Sequence, residues 1–411
     1  MSTVHLMHDK LEQASNPVAP LALIALPSCE DLAEKINEWI CYFRMGDHNE
    51  HRDDLTYEGY YKKDYRIPVL IPRFSTGEAK AVLGESARGK DVYIFVDITN
   101  HSITYKMNGF INHMSPDDHF QDLKRVIAAI NGKARRINVI MPFLYEGRQH
   151  KRSGRESLDA AIMYKELCDL GVKNFITFDA HDPRIQNVNP LVDFSNFTSP
   201  YQFLKSLMRS VPDLIVDKEH VVVISPDEGA LDRTVYFASV IGADTGMFYK
   251  RRDYSVIVNG KNPIVEHRFL GTDLDGKDAI IIDDMISSGG SILDTSRQLK
   301  ENMHAKRVFL CTTFGLFTDG LEVFDKAYEK GYFDKLVTTN LTYQPPELAD
   351  REWFEPADMG KYAAMIIDFI NHDIGLSNMK TSTDKIHSIL KKINRNEQTE
   401  YEQMQFELTE F

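Results

Sequence analysis

The segment from Ala279 to Leu299 constrains the fold most, because it joins a buried strand to a helix through two acids and a glycine-rich turn. Residues 279–282 form a continuous apolar run rich in β-branched side chains, which is typical of a parallel strand covered on both faces. Asp283 and Asp284 are therefore expected at the carboxyl end of the strand. Ligands bind at that edge in open α/β sheets.

The turn after these acids predicts an anion site. Its sequence, SSGGS, allows close approach of a ligand, and we expect Ser291 to open the following helix. Unpaired amides at the start of a helix bind anions, and paired carboxylates suit sugar hydroxyls or a metal. The predicted ligand is a sugar phosphate, and the alternative is an ordinary Ser-capped helix. The residues predicted to hold it are Asp283, Asp284, Ser287, Ser288, Gly289, Gly290 and Ser291.

The whole chain of 411 residues is long enough for two domains. A net charge of −13 argues against a nucleic-acid partner, and no apolar run predicts a membrane span or a leader. Four scattered cysteines without a C-x-x-C pair suggest neither zinc nor disulfides. We therefore expect a cytoplasmic protein. Basic clusters at 148–155 and 250–252 suit a polyphosphate, or form a solvated face.

Strand-like and helix-like segments alternate along the chain, which predicts an α/β fold with a mostly parallel sheet. The predicted strands begin near Asp91, Ile137, Asn174, His220, Asp278 and Arg307, and a helix is predicted over 157–170. The polar segment 46–63 reads as an exposed insertion. Apolar residues at helical spacing between Ile386 and Ile393 predict a C-terminal helix.

Five further segments decide which family this chain resembles. The strand-to-helix segment resembles the ribose-phosphate motif of type I phosphoribosyltransferases and of ribose-phosphate pyrophosphokinases. The other segments, which are similar to the pyrophosphokinases, are IPRFSTGE (71–78), MPFLYEGRQHKR (141–152), ITFDAHDPRIQ (176–186), VISPDEGALDR (223–233) and YKRRDYS (249–255). The resemblance runs from about Leu21 to about Asn371.

The resemblance implies two tandem domains like type I phosphoribosyltransferases, each a mostly parallel sheet flanked by helices. We expect an N-terminal domain over 1–195, a C-terminal domain over 196–375 and a helical tail over 376–411. It also implies an ATP site in which Phe74 stacks on adenine. The residues it assigns to ATP are Phe74, Thr76, Glu78, Arg148, Gln149 and His150.

The chain departs from the family pattern at several of these positions. Thr76 and His150 each stand where the family has an acidic residue or Asn, and Asp182 and Arg184 also differ from it. These departures put individual ATP contacts in question.

The resemblance further implies Mg²⁺ as cofactor. Its ligands would be His181, Asp179 and Asp227, of which Asp227 also contacts the ribose. Lys250 and Arg252 would be catalytic, opening a loop that reaches about Leu270. They would neutralise charge that develops on the transferred group.

The implied activity is transfer of the β,γ-diphosphoryl group of ATP to the 1-hydroxyl of ribose 5-phosphate, giving 5-phosphoribosyl diphosphate (PRPP) and AMP. A homo-oligomer that shares its nucleotide site between subunits is expected with it. One alternative is a weakly catalytic regulatory or scaffold subunit. The others are a pyrophosphokinase for another ribose 5-phosphoryl acceptor, and a true phosphoribosyltransferase.

Overall fold

A computed structural model describes residues 16–50, 60–152, 154–252, 264–380 and 383–394. These residues divide into two compact units. Unit 1 comprises the described residues up to Thr198, together with Leu341–Tyr343 and Met359–Lys380. Unit 2 comprises Ser199–Asn340, Gln344–Asp358 and the described residues from Thr383. In the described part of the chain, no helix combines the length and the apolar character that crossing a membrane requires.

The elements are numbered in chain order. The strands are β1 Leu21–Ala25, β2 Val69–Leu70, β3 Val82–Leu83, β4 Asp91–Phe95, β5 Thr104–Met107, β6 Phe110–His113, β7 Arg136–Ile140, β8 Asn174–Phe178, β9 Asp193–Phe197, β10 Val221–Ser225, β11 Asp244–Arg252, β12 Ile264–Gly271, β13 Asp278–Ile286, β14 Arg307–Gly315, β15 Lys335–Thr339 and β16 Phe354–Ala357. The α-helices are α1 Glu30–Glu50, α2 Pro116–Ile130, α3 Asp159–Asp169, α4 Pro200–Ser210, α5 Leu231–Ile241, α6 Gly290–Glu301, α7 Glu322–Glu329, α8 Gly360–Asn371, α9 Ser377–Lys380 and α10 Thr383–Asn394. All six predicted strands and the predicted helix near 157–170 are present.

Unit 1 is built on a five-stranded sheet in the order β1-β4-β7-β8-β9. All of its strand pairs are parallel. The central strand β4 is buried along its whole length, because helices cover both faces of such a sheet. The carboxyl ends of β4, β7 and β8 therefore lie along one edge, and the sequence analysis placed Arg148, Asp179 and His181 after β7 and β8.

The opposite edge of this sheet is held by the buried carboxylate of Asp91. It accepts hydrogen bonds from Arg136 at 2.7 and 2.8 Å, from Asn138 at 2.8 Å and from Asn371 at 2.9 Å. Tyr93 donates a further bond at 3.1 Å. A buried charge is tolerated only with such partners. Asn371 ends α8, so this network fixes the end of α8 to the sheet.

Unit 2 is built on a seven-stranded sheet in the order β12-β11-β10-β13-β14-β15-β16. Its pairs are parallel except β11 with β12. The predicted end of β13 was wrong, since the strand runs to Ile286 and contains Asp283 and Asp284. Pairing with β10 stops at Ile281, but β14 continues to pair as far as Ile286. The two acids thus extend beyond β10 while remaining in the sheet.

The predicted domain bounds differ from the compact units. The first boundary, at 195, lies close to Thr198, but the predicted domain 196–375 includes Met359–Asn371, which belongs to unit 1. The reason is a buried ion pair: Arg44 of α1 donates to Asp368 of α8 at 2.8 and 3.0 Å, and both side chains are fully buried. Such long-range pairing leaves no mark in the local sequence.

Two peripheral predictions also change. The supposed insertion 46–63 begins inside α1, and Tyr60 at its other end is buried beside His372, so it is not exposed throughout; residues 51–59 lie outside the described part. The predicted tail contains α9 in unit 1 and α10 in unit 2. Ile386 of α10 is buried in the core of unit 2. Residues 395–411 lie outside the described part.

Candidate active site

Three acids predicted to hold a ribose or a metal come together in unit 2. Asp227 follows β10, and its Oδ1 accepts from the Gly229 amide at 2.9 Å. Asp284 is buried, and its amide donates to Asp283 Oδ1 at 2.9 Å. Burial raises the pKa of Asp283 well above its usual range, and the charges of Asp284 and Asp227 raise it further. Three like charges in one place favour a ligand that supplies hydroxyl donors or a cation.

Arg233 is a residue of this cluster that the sequence analysis did not assign. Its guanidinium nitrogens lie 3.8 Å from Asp283 Oδ1 and 3.9 Å from Asp284 Oδ2. The positive charge lowers the pKa of Asp283, against the larger effect of burial. Arg233 is the last residue of the segment 223–233. It lies on α5, two residues after the helix begins, and contacts the two acids of β13. One arginine offsets only part of the acidic charge.

The glycine-rich turn has the backbone geometry that an anion site requires. Gly289 precedes α6 with φ of 84°, and a Cβ there would collide with the buried ring of Phe324. The helix begins at Gly290 rather than at Ser291, which corrects the prediction. Among the described residues no side chain caps this helix start. Its first amide groups therefore point toward the turn, and they carry the positive end of the helix dipole.

The segment after β7 holds the predicted ATP residues of unit 1. Tyr145 stacks on Phe120 with ring centroids 4.7 Å apart and donates to Asp117 at the start of α2. Gln149 Nε2 donates to the carbonyl of Ser157 at 3.0 Å. Arg148 is exposed. The segment is thus anchored on both sides of an accessible arginine.

His150 brings together the two predicted strand-end segments of unit 1. Its ring lies 5.5 Å from that of His181, and its Nε2 lies 3.3 Å from Asp182 Oδ2. Asp182 also accepts from Arg184 at 2.8 and 3.0 Å. Two of the four positions that depart from the family pattern, His150 and Asp182, are therefore in contact. Hydrogen bonding to Arg184 is the main cause that lowers the pKa of Asp182 to about 2.

Asp179 lies at the start of the same loop, directly after β8. Its backbone has a φ of 40°, and its amide donates to the carbonyl of Phe197 at 2.7 Å. The next amide, of Ala180, donates to Asn196 Oδ1 at 2.9 Å. A residue other than glycine is uncommon in this region, and aspartate adopts it more readily than most. The loop that carries Asp179 and His181 is thus fixed by β9.

The loop from Phe74 to Glu78 is a tight turn. The Phe74 amide donates to the Glu78 carbonyl at 2.8 Å, and Gly77, with φ of 93°, donates back to Phe74 at 2.9 Å. Thr76 Oγ1 donates to Glu78 Oε2 at 3.0 Å. The Phe74 ring is 54% exposed, so it is open to stacking. Thr76 replaces the Asp or Asn of the family pattern, and its hydroxyl still positions the carboxylate of Glu78.

Lys250 and Arg252 lie in β11, not in a loop as predicted. Their backbones pair with His267 and Ile264 of β12. The antiparallel pairing extends the sheet of unit 2 to Arg252, and β12 continues to Gly271. The residues between the two strands, 253–263, lie outside the described part. The part of the predicted loop from Ile264 to about Leu270 belongs to β12 instead.

Two family models match this chain. Residues 21–171 match the N-terminal domain of ribose phosphate pyrophosphokinase, and residues 202–350 match the phosphoribosyl transferase domain. A ribose-phosphate pyrophosphokinase of Corynebacterium efficiens is 30% identical over 257 residues, which cover 61% of this chain and 70% of that protein. The chain belongs to the ribose-phosphate pyrophosphokinase family. The predicted family and its tandem α/β fold are thus confirmed.

Other comparisons agree with this family. A ribose-phosphate pyrophosphokinase of Synechocystis sp. is 28% identical over 284 residues, covering 68% of this chain and 75% of its own length. The crystal structure of phosphoribosylpyrophosphate synthetase from Mycobacterium smegmatis matches with a TM-score of 0.62 at 21% identity. It covers 86% of this chain and 99% of its own. At that identity the structure supports the fold.

The family models leave one predicted segment unmatched. Residues 176–186, with Asp179 and His181, lie between the two matched ranges. Their assignment to Mg²⁺ therefore stays a prediction, and the structure places the ring of His181 5.5 Å from that of His150.

Proposed function

We propose that this protein transfers the β,γ-diphosphoryl group of ATP to the 1-hydroxyl of ribose 5-phosphate, giving PRPP and AMP. Its membership of the pyrophosphokinase family and the names of its curated relatives support this activity. The structural observation that carries the proposal is the arrangement in unit 2. There the paired carboxylates of Asp283 and Asp284, of which Asp284 is buried, are followed by a short turn and the uncapped helix start at Gly290.

Ribose 5-phosphate fits this arrangement chemically. The turn from Ser287 to Ser291, with Ser288, Gly289 and Gly290, supplies amide and hydroxyl donors for the 5-phosphate. Asp283 and Asp284 accept hydrogen bonds from the ribose 2- and 3-hydroxyls. Burial is the main cause that raises the pKa of Asp283 and the charges of Asp284 and Asp227 add to it, so bound hydroxyl donors would stabilise the ionised carboxylate.

ATP is assigned to unit 1. The ring of Phe74 stacks on adenine, and Thr76 and Glu78 bind its polar edge. Arg148 holds phosphate oxygens through its planar guanidinium, helped by Gln149 and His150. Lys250 and Arg252 neutralise the charge that develops on the transferred group. Such a reaction needs mainly alignment and charge stabilisation from the protein.

Mg²⁺ is the cofactor in this proposal, with Asp179, His181 and Asp227 as candidate ligands. Carboxylates suit this hard cation, which usually keeps several waters and binds through one or two carboxylates and substrate phosphates. The described residues contain no group of three or more acidic, histidine or cysteine side chains placed to hold a metal ion. We therefore assign the protein at most part of the coordination shell. When bound, Mg²⁺ would supply Lewis-acid stabilisation of the phosphate charge.

A homo-oligomer and a cytoplasmic location belong to the same proposal. The exposed Phe74 loop supports a nucleotide site that a neighbouring subunit completes. Light scattering of the purified protein tests the oligomer.

Incubation of the protein with Mg·ATP and ribose 5-phosphate tests the activity. We expect AMP and PRPP in equal amounts, and no AMP when ribose 5-phosphate is omitted. If AMP formed only with another ribose 5-phosphoryl compound, that compound would replace ribose 5-phosphate as the proposed acceptor. Absence of AMP with every acceptor would contradict the proposed activity.

A further inference from the structure

A two-stranded hairpin in unit 1 contains no residue assigned to ATP, ribose 5-phosphate or Mg²⁺. It consists of β5 and β6, which are antiparallel and joined by Asn108 and Gly109. These two residues have φ of 49° and 86°, as the tightest hairpin turns require. The Asn-Gly dipeptide was a signal for this hairpin in the sequence.

The turn of this hairpin contacts the Phe74–Glu78 loop directly. The Asn108 amide donates to the carbonyl of Ser75 at 3.1 Å. A Cβ built on Gly77 would lie only 2.5 Å from Met107 Sδ. Met107 therefore packs against the bare face of Gly77, and no larger residue leaves room for this contact.

Arg73 connects the same loop to the hairpin from the other side. Its guanidinium lies over the ring of Tyr105 of β5, 4.5 Å from the ring centroid. It donates to the carbonyl of Gly77 at 3.2 Å and to Asp122 of α2 at 2.8 Å. The loop is thereby linked through Arg73 to both the hairpin and the rigid helix.

Among the described residues, the hydrogen bonds that join the loop to the rest of unit 1 come from Arg73 and Asn108. Its other hydrogen bonds are internal and define the turn, and Phe74 is more than half exposed. Ordering such a loop only when a ligand binds costs affinity. Contacts that order it beforehand reduce that cost.

We propose that the β5–β6 hairpin is a positioning element for the ATP loop, with Met107 and Asn108 as positioning residues. This inference rests on the proposed function, which assigns Phe74–Glu78 to ATP. The hairpin contacts Ser75, Gly77 and Arg73, so we expect it to act on ATP binding and to leave the transfer step unchanged.

The first test removes the hairpin. The Met114 amide donates to the carbonyl of Ile103 at 2.9 Å, so an Asn-Gly link between these residues can replace Thr104–His113 without stretching the chain. We expect the KM for Mg·ATP to rise about tenfold, as for loss of one or two ordered side chains. The kcat and the KM for ribose 5-phosphate should stay within about twofold of the wild-type values. The contacts of the hairpin given above include no residue assigned to ribose 5-phosphate or to the transfer step.

Point variants keep the test decisive if the deletion prevents folding. Met107→Ala opens the space over Gly77 and should raise the KM for Mg·ATP about threefold to tenfold. Met107→Leu, which keeps most of the volume, should restore it. Ile111→Ser at the exposed tip is the matched control and should leave this KM unchanged.

The outcomes separate this inference from the proposed function. An active wild-type protein whose KM for Mg·ATP is unaffected by Met107→Ala overturns the positioning role. An equal fall in kcat/KM for Mg·ATP and for ribose 5-phosphate also overturns it, because that indicates general damage to the fold. Wild-type protein without any transfer activity defeats the proposed function itself.

Discussion

Gly289 is the single residue at which backbone shape and proposed chemistry depend most on each other. Its φ of 84° and the adjoining ring of Phe324 both exclude a side chain. We expect Gly289→Ala to cost about 1–3 kcal/mol of folding free energy from strain and overpacking. The KM for ribose 5-phosphate should rise at least about tenfold, because the amides of the turn shift. Urea unfolding and steady-state kinetics measure the two effects.

Gly290→Ala is the matched control for that variant. Gly290 is not among the residues with positive φ, and the nearest atom to an added Cβ is Ser288 Oγ at 3.8 Å. It should fold with wild-type stability. Equal loss of folding free energy in the two variants would contradict the structural role given to Gly289.

Asp182 gives a prediction about pH. Arg184 is the main cause that lowers the pKa of Asp182 from 3.8 to about 2. A lowered carboxyl pKa adds stability above pH 3.8, and that stability is lost as the pH falls toward 2. In Arg184→Gln the carboxyl-carbon NMR signal of Asp182 should titrate nearer to 3.8. An unchanged midpoint would show that Arg184 does not hold this carboxylate.

At the scale of elements, the docking of α8 depends on the buried pair Arg44 and Asp368. Removing one partner of such a pair leaves an uncompensated buried charge and costs about 3–5 kcal/mol. We expect Arg44→Met to lower the stability of unit 1 by about this amount, and Arg44→Met with Asp368→Leu to recover part of it. Trp39 reports the change, because Lys361 of α8 lies 4.8 Å from its ring centroid.

This measurement uses a Trp353→Phe background, which removes the only other tryptophan. Trp353 lies in unit 2, so the remaining fluorescence then follows unit 1. If the double variant were as unstable as Arg44→Met alone, the loss of stability would not come from an unpaired charge on Asp368.

The elements show which parts of the fold the sequence could predict. Strands such as β4 and β10 were predictable because they are short, continuous apolar runs buried along their whole length. The end of β13 was not, because pairing with β14 carries two acids into the sheet. The β5–β6 hairpin was missed although its Asn-Gly turn was visible. Arg233 was missed because its contact with Asp283 is made only in the folded unit.

At the scale of the whole molecule, the sequence predicted two tandem domains but not which unit α8 joins. A helix that returns to an earlier unit is defined by contacts more than 300 residues apart, such as Arg44 with Asp368. The residues of both candidate sites could be predicted from local motifs, because they lie at strand ends and in glycine turns. The contact between His150 and Asp182 in unit 1 could be seen only in the structure.

The proposed catalytic cations lead to a prediction for the whole reaction. Lys250→Ala and Arg252→Ala should each lower kcat by about 10²–10³, as for loss of one group that stabilises transition-state charge. The KM for Mg·ATP should change far less. Arg251→Ala removes an equal charge from the same strand and serves as the control. An unchanged kcat in both variants would remove Lys250 and Arg252 from the mechanism.

The central claim is that the 1-hydroxyl of ribose 5-phosphate attacks the β-phosphorus of ATP, and an oxygen label tests it most directly. Ribose 5-phosphate carrying ¹⁸O at the 1-hydroxyl is incubated briefly with Mg·ATP and the protein, and the products are analysed by ³¹P NMR and mass spectrometry. We predict that PRPP retains the label in the oxygen that bridges C1 and the diphosphate, while AMP is unlabelled. Loss of the label from PRPP, corrected for exchange in a sample without protein, would contradict the account.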